Sequence, residues 1–370
     1  MIHVVPDILR SGIAFAVVLG ILVFVHEFGH YLAARWCGVH VEVFSIGFGQ
    51  AITSWVDRRG TRWKLAWLPL GGYVKMHGQE RPEEVSPQVR ASWIAGRTFH
   101  EKRVWQRAIV VAAGPIANFL LAMVLFGVLF VSMGKPVTLP VVGGVLPGSA
   151  AAKAGLEVND RIDSIAGQPI HDFTDIQRII EAHPDETLPI AIDRGGVTLA
   201  MQAHTGVKES DGRRIGLLGI GGGAVEYRHL PLVTALIAGL EQTWTVTAET
   251  VQGIVQMVDG TRGTEDLGGP LRIAQLSGQV AELGLANLVS FIAVLSVNLG
   301  LINLFPIPVL DGGHLLFYFA EALRGRPLPP RALEYGFRAG LAVLASLFIF
   351  ATWNDLTNIG LFHWMAHLMG

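Results

Sequence analysis

The sequence predicts a polytopic α-helical membrane protein with four transmembrane helices, a membrane-associated β-hairpin region and an inserted α+β domain. Three observations carry this prediction. Of the 370 residues, 51% are hydrophobic and only 16% are charged, against about 25% charged in an ordinary soluble domain. Four stretches approach the roughly 20 apolar residues that a helix needs to cross a bilayer. Between the second and third of these, the pattern changes to short strand-like runs and one amphipathic helix.

The first span is the unusual one. Its purely apolar part, residues 12–25, is too short alone and reaches full length only by taking in His26, Glu27 and His30. An uncleaved helix is expected, because Arg10 is the one basic residue before it and no small-x-small site follows Val25. The loop after it alternates: residues 41–48, 51–56 and 62–67 read as strands, with Asp57-Arg58-Arg59-Gly60 as the turn between the last two. Gly71-Gly72-Tyr73-Val74 follows. Trp55, Trp63 and Trp67 make this region apolar enough to dip into the membrane, provided its backbone is paired.

Residues 108–133 form the cleanest span, with no charge inside. In the insert, strands are expected at 140–145, 188–192 and 198–203. A helix is expected over 173–182, where Phe173, Ile176, Ile179 and Ile180 share one face. Residues 229–278 have amphipathic character without a clean apolar run, and read as surface or interfacial helix. The third span covers about 285–310. The fourth, 339–351, is short and takes Phe337 and Trp353 as interfacial flanks. The chain thus divides into a first membrane part (1–134), the insert (135–225), a helical linker (226–280) and a second membrane part (281–370).

Eleven Lys and Arg residues lie between Arg35 and Val104, and Arg324, Arg326, Arg331 and Arg338 precede the fourth span. Both loops are therefore expected in the cytoplasm, with the termini and the insert on the opposite side. A net charge of −2 excludes the basic field that nucleic-acid binding needs. The lone Cys37 cannot form an internal disulfide.

His26-Glu27-Phe28-Gly29-His30 is an H-E-x-x-H sequence. On a helix the two histidines share a face and can reach one ion, while Glu27 sits beside that face. Two imidazoles suit Zn2+, and a catalytic zinc keeps one position open for water, whose proton Glu27 could take. Burying two histidines and a glutamate at the end of an apolar span is costly without a function. The candidate third ligand is Asp311, which follows Pro306 and Pro308 and precedes Gly312-Gly313. By the charge-based topology, it lies at the same depth as His26 and His30. Asn298 and Asn303 could hold a substrate backbone or stabilise an oxyanion, or simply bond between helices. His314 could support Asp311 or merely start a helix. His363 and His367 have helical ligand spacing but fall in the tail, where an interfacial position is expected.

Together these residues resemble the site-2 protease family of intramembrane zinc metalloproteases, in its bacterial RseP-like branch. The likeness rests on residues 26–30 and 303–313, joined by Gly71-Gly72-Tyr73-Val74-Lys75-Met76, Gly114-Pro115-Ile116-Ala117-Asn118 and Gly269-Pro270. It implies His26, His30 and Asp311 as zinc ligands, Glu27 as the catalytic acid/base, and Asn298 and Asn303 as residues that handle substrate. Gly71, Gly72 and Tyr73 join them as candidate substrate contacts. The insert resembles a PDZ domain over 144–151 and 154–162, which implies capture of an extended peptide or a C-terminus. Well-known relatives carry two such domains, and this chain has room for one. The implied partners are single-span membrane proteins, such as trimmed anti-sigma factors or remnant signal peptides, in a bacterial inner membrane with the insert on the periplasmic side. A metal transporter would spread its ligands across the bilayer depth, and an inactive scaffold would lack Glu27 or a ligand; neither pattern is present.

Overall fold

The computed structural model describes residues 4–80, 85–210, 213–261, 263 and 268–358; His363 and His367 lie outside them. The chain forms two compact units, one made of everything through Leu129 and from Leu232 onward, the other of Phe130–Pro231.

The first unit opens with α1 (Val4–Trp36), followed by β1 (Val41–Val56), β2 (Arg62–Met76), the short α2 (Pro87–Ala91) and α3 (Val104–Ser132), whose last residues enter the second unit. The second unit contains β3 (Lys135–Thr138), β4 (Val142–Val145), α4 (Ala150–Ala154), β5 (Arg161–Ile165), β6 (Gln168–Pro169), α5 (Phe173–Glu181), β7 (Thr187–Arg194) and β8 (Val197–His204). It is completed by β9 (Gly206–Ser210), β10 (Arg213–Leu217), β11 (Ile220–Gly222) and β12 (Val225–Arg228). The chain then returns to the first unit through α6 (Leu232–Val258), α7 (Pro270–Glu282), α8 (Leu285–Asn303), α9 (Asp311–Arg324) and α10 (Pro330–Asn358).

Among the described residues, four helices are long and apolar enough to cross a membrane: Leu9–Trp36, Val104–Ser132, Leu285–Asn303 and Pro330–Thr357. Two differ in length from the expectation. The fourth is a full 28 residues, because the helix runs on through polar ends that include Glu334 and Arg338, paired at 2.6 Å one turn apart. The third stops at Asn303. Pro306 and Pro308 cannot continue a helix, so 304–310 turns, and Asp311 opens α9 instead of closing the span. Gly312 permits that turn to close, since a side chain there would run into the Leu304 and Phe305 carbonyls.

The three strand segments expected after α1 are two long strands. β1 is continuous from Val41 to Val56, and β2 runs on past Trp67 to Met76. Asp57 builds the turn between them: its Oδ1 accepts from the Arg59 and Thr61 amides at 2.8 and 3.0 Å, and Gly60 takes φ +82°. The strands fold back on themselves. Residues 43–46 pair on one side with 72–75 and on the other with 62–65, and 62–65 pair in turn with 53–56. Tyr31, Phe44, Val74 and Met76 bury this sheet against α1, while Trp55, Trp67 and Leu68 stay exposed.

α6 forms within the stretch read as surface or interfacial helix, and it makes contacts that the sequence does not announce. A Cβ at its Gly239 would meet the Met123 carbonyl and the Gly127 amide of α3, and its Thr250 hydroxyl donates to Asn298 Oδ1 of α8 at 3.0 Å. It therefore packs along two span-length helices. α7 is held from α10 by buried Asp355. One Asp355 oxygen accepts from the Gly269 amide at 2.8 Å, and the other accepts from Leu271 and Arg272 at 3.0 and 3.1 Å. This satisfies the free N–H groups of the first turn of α7.

The second unit is built on a four-stranded antiparallel sheet in the order β6-β5-β7-β8. Ile162 and Ile165 of β5 and Ile190 and Ile192 of β7 point to one face, where Phe173, Ile176, Ile179 and Ile180 of α5 cover them. Each such side chain contributes roughly 1.5–3 kcal/mol by leaving water. Asp172 caps α5 by accepting from the Asp175 amide at 3.0 Å. Buried Asp160 is gripped by the Arg194 guanidinium at 2.7 and 2.8 Å, and that contact holds its carboxyl below the usual carboxylate range despite the opposing effect of burial.

Candidate metal centre

Three side chains from two helices converge. His26 and His30 lie one turn apart on α1, with Nε2 atoms 3.2 Å from each other. Asp311, the first residue of α9, places Oδ2 3.1 Å from His26 Nε2 and 3.5 Å from His30 Nε2. All three side chains are at least four-fifths buried, at 12, 10 and 17% exposure. Among the described residues this is the group whose ligand atoms cluster as a metal site requires.

The donor set fits zinc. A tetrahedral ion with bonds of about 2.0–2.1 Å spaces its ligand atoms about 3.3–3.4 Å apart, and the three separations bracket that value. Asp311 Oδ2 is buried without a hydrogen-bond partner, a costly state unless a cation satisfies it. His30 donates from Nδ1 to the Val110 carbonyl at 2.8 Å, so its Nε2 is a bare lone pair aimed at the same point.

α3 supplies the wall behind the ligands. Val110, Gly114 and Asn118 lie at i, i+4 and i+8, on one helix face. A Cβ at Gly114 would stand 2.9 Å from His26 Nε2 and closer still to His30 Nε2, so glycine there leaves room for the ion. Asn118 is fully buried, with its side chain 3.2 Å from His26 Nδ1. Glu27 lies on the side of the centre next to β2. The Val74 amide is directed at its carboxylate. A Cβ at Gly72 would fall 3.0 Å from Glu27 Cγ and 2.7 Å from Val23 Cγ1.

The structure thus brings His26, His30 and Asp311 together, with Glu27 beside them against the 71–74 stretch. Tyr73 pairs with Ser45 and stacks with Phe48, their ring centroids 6.3 Å apart. Asn298 Oδ1 accepts from the Thr250 hydroxyl of α6 at 3.0 Å, an interhelical bond. Asn303 is half-buried at the last position of α8. The His314 ring packs edge-on against Phe337, with centroids 5.4 Å apart. Val110 and the side chain of Asn118 were not assigned a role from sequence. A polar residue within the cleanest apolar span is the signal that marks Asn118.

Comparison with known proteins bears on this centre. The sequence profile described as Peptidase family M50 matches residues 14–347. A protein of Rhizobium meliloti that carries a provisional zinc-metalloprotease name is 44% identical over 360 residues, covering 92% of this chain and 95% of that one. A similarly named protein of Agrobacterium fabrum is 42% identical over 94% of this chain and 96% of its own length. Metalloprotease MmpA of Caulobacter vibrioides is 36% identical, covering 95% and 96%. The PDZ domain of an SdrC-like protein from Listeria monocytogenes matches with a TM-score of 0.21 and 19% identity, covering 23% of this chain and 87% of that domain.

Proposed function

The chain belongs to peptidase family M50 and is a multi-pass zinc metalloprotease, and from that premise we propose that it hydrolyses peptide bonds within the transmembrane segments of single-span membrane proteins. The observation that carries the reading is the convergence of His26 and His30, within a span-length helix, with Asp311, the first residue of α9, and with Glu27 beside them. In this reading the three are the zinc ligands and Glu27 is the catalytic acid/base. Bound zinc supplies a Lewis acid for the scissile carbonyl and lowers the pKa of a coordinated water. Glu27 takes the proton of the attacking water and hands it to the leaving nitrogen. The buried surroundings keep bulk water from the proton path.

A helical substrate hides its carbonyls in its own hydrogen bonds and has to unwind before attack. The Gly72-Tyr73 stretch of β2 pairs along one edge with 45–46, and the face of Gly72 lies against Glu27 and Val23, so in this reading the substrate uses the opposite edge. An unwound substrate added there as a strand would regain its lost hydrogen bonds. Tyr73→Pro should then cut turnover while zinc stays bound; unchanged turnover would remove this part of the reading. The Phe130–Pro231 unit acts in the proposal as a PDZ-type module for an extended peptide or a C-terminus. The basic loops orient the protein in a bacterial inner membrane, with that unit on the periplasmic side.

The test is cleavage of a model single-span substrate by purified protein, wild type against Glu27→Gln, with zinc content measured in both. Cleavage by the wild type alone, with zinc in both, is the expected result. Equal cleavage by the two would take the acid/base role from Glu27.

A further inference from the structure

Asn118 is completely buried on α3, and its amide has two ends with unequal surroundings. Nδ2 stands 3.2 Å from His26 Nδ1. Oδ1 is buried with no hydrogen-bond partner. The two ends of an asparagine amide have nearly the same shape, and their assignment follows from the hydrogen-bond network. Nδ2 towards His26 suits an imidazole that carries its proton on Nε2. A His26 that binds zinc through Nε2 needs the opposite tautomer, with the proton on Nδ1. Two N–H groups would then face each other at 3.2 Å while an acceptor on the same amide went unused.

We propose that Asn118 presents Oδ1, not Nδ2, to His26, accepts its Nδ1–H, and so holds His26 in the tautomer and ring orientation that zinc requires. This rests on the assignment of His26 as a zinc ligand. The parallel with His30 supports it. His30 donates its Nδ1–H to the Val110 carbonyl two turns earlier on the same face of α3, so one helix would set both imidazoles, one through its backbone and one through a side chain. Asn118 is itself fixed in place, because its backbone carbonyl accepts from the Ser296 hydroxyl of α8 at 2.8 Å. It is a positioning residue and acts through His26. Outer partners of this kind change metal affinity by about 10–100-fold when removed.

The experiment measures zinc affinity of the full chain in detergent, by competition with a chromophoric chelator, for wild type, Asn118→Leu, Asn118→Asp and His26→Ala. Leucine keeps the volume and cannot accept a hydrogen bond; aspartate keeps an acceptor oxygen in place. The expected result is affinity weakened about 10–100-fold by leucine and retained by aspartate. Wild-type affinity in a folded Asn118→Leu would overturn the proposal. If the leucine variant fails to fold, aspartate decides: zinc lost to the level of His26→Ala overturns it, and retained zinc supports it. His26→Ala with undiminished affinity would instead show that the ligand assignment is at fault.

Discussion

Gly114→Ala gives the strictest test of where the metal sits. The added methyl would stand 2.9 Å from His26 Nε2 and 2.6 Å from His30 Cε1, where ordinary contact begins near 3.4 Å. The His26 ring or the helix must therefore retreat by about half an ångström, and the His30 ring by more than about 0.8 Å, because its Nε2 lies closer still. Metal–ligand distances tolerate about 0.2 Å, so at least one histidine leaves bonding range. The loss should exceed that of removing an outer partner, at least about 100-fold in zinc affinity, or about 2.8 kcal/mol at roughly 1.4 kcal/mol per tenfold. Overpacking should cost the metal-free protein a further 1–3 kcal/mol or so. The assay is helix content against temperature in detergent, with and without a chelator, together with zinc competition. Chelator should lower the wild-type melting temperature and leave that of Gly114→Ala unchanged, because only a protein that binds the ligand gains stability from it. Gly20→Ala on α1 is the control: nothing lies within 4 Å of its added Cβ, and about 1 kcal/mol of helix propensity is gained. Wild-type zinc affinity in Gly114→Ala would refute the placement of the ion between the two Nε2 atoms.

Two further outcomes follow from contacts away from the metal. Asp355→Ala leaves three amides at the start of α7 without their acceptor and should destabilise the protein by about 2–3 kcal/mol, read as a lower melting temperature and faster proteolysis near Gly269; an unchanged melt would show that the cap is dispensable. In the second unit, Asp160 has a folded-state pKa below its unfolded value because Arg194 holds the charged form. Its stabilisation is complete above about pH 3.9, the unfolded value, and is lost as pH falls through the lower folded value. Wild type should therefore resist pepsin better than Asp160→Asn near pH 4, and the difference should close towards pH 2. A difference that persists at pH 2 would count against the linkage.

The spans and the metal pair were legible because hydropathy and i, i+4 spacing are local properties. His26 and His30 face one way in any helix, and a run of apolar residues such as 108–133 is expelled from water wherever it occurs. What escaped depends on neighbours. α6 buries Thr243 and half-buries Thr247 and Thr250, whose hydroxyls donate to the carbonyls of Gly239, Thr243 and Val246. That pairing conceals polarity which a hydropathy sum still charges against the helix. The alternating pattern supports a strand only over 62–67, and local sequence does not carry it further. In the structure β2 runs on to Met76, with 72–76 paired to 41–46, and Gly72 fits against α1 because it has no side chain. Asp311 stands out in the sequence as a candidate ligand, but its place as the opening residue of α9 depends on how 304–310 turns. The Asn118 contact joins residues 92 positions apart, and no local pattern records it.

That Asp311 begins a helix of its own has a consequence for how the enzyme comes into being. His26 and His30 leave the ribosome early, while Asp311 follows about 280 positions later, after the insert and two further span-length helices. Two imidazoles alone make a weak and incomplete zinc site. The third ligand arrives only when 304–310 has turned and α9 has docked, a contact of very long sequence separation that forms late. With the proposed ligand set, a nascent chain that has not yet made and docked α9 would be inert towards the unfolded segments around it, its own included.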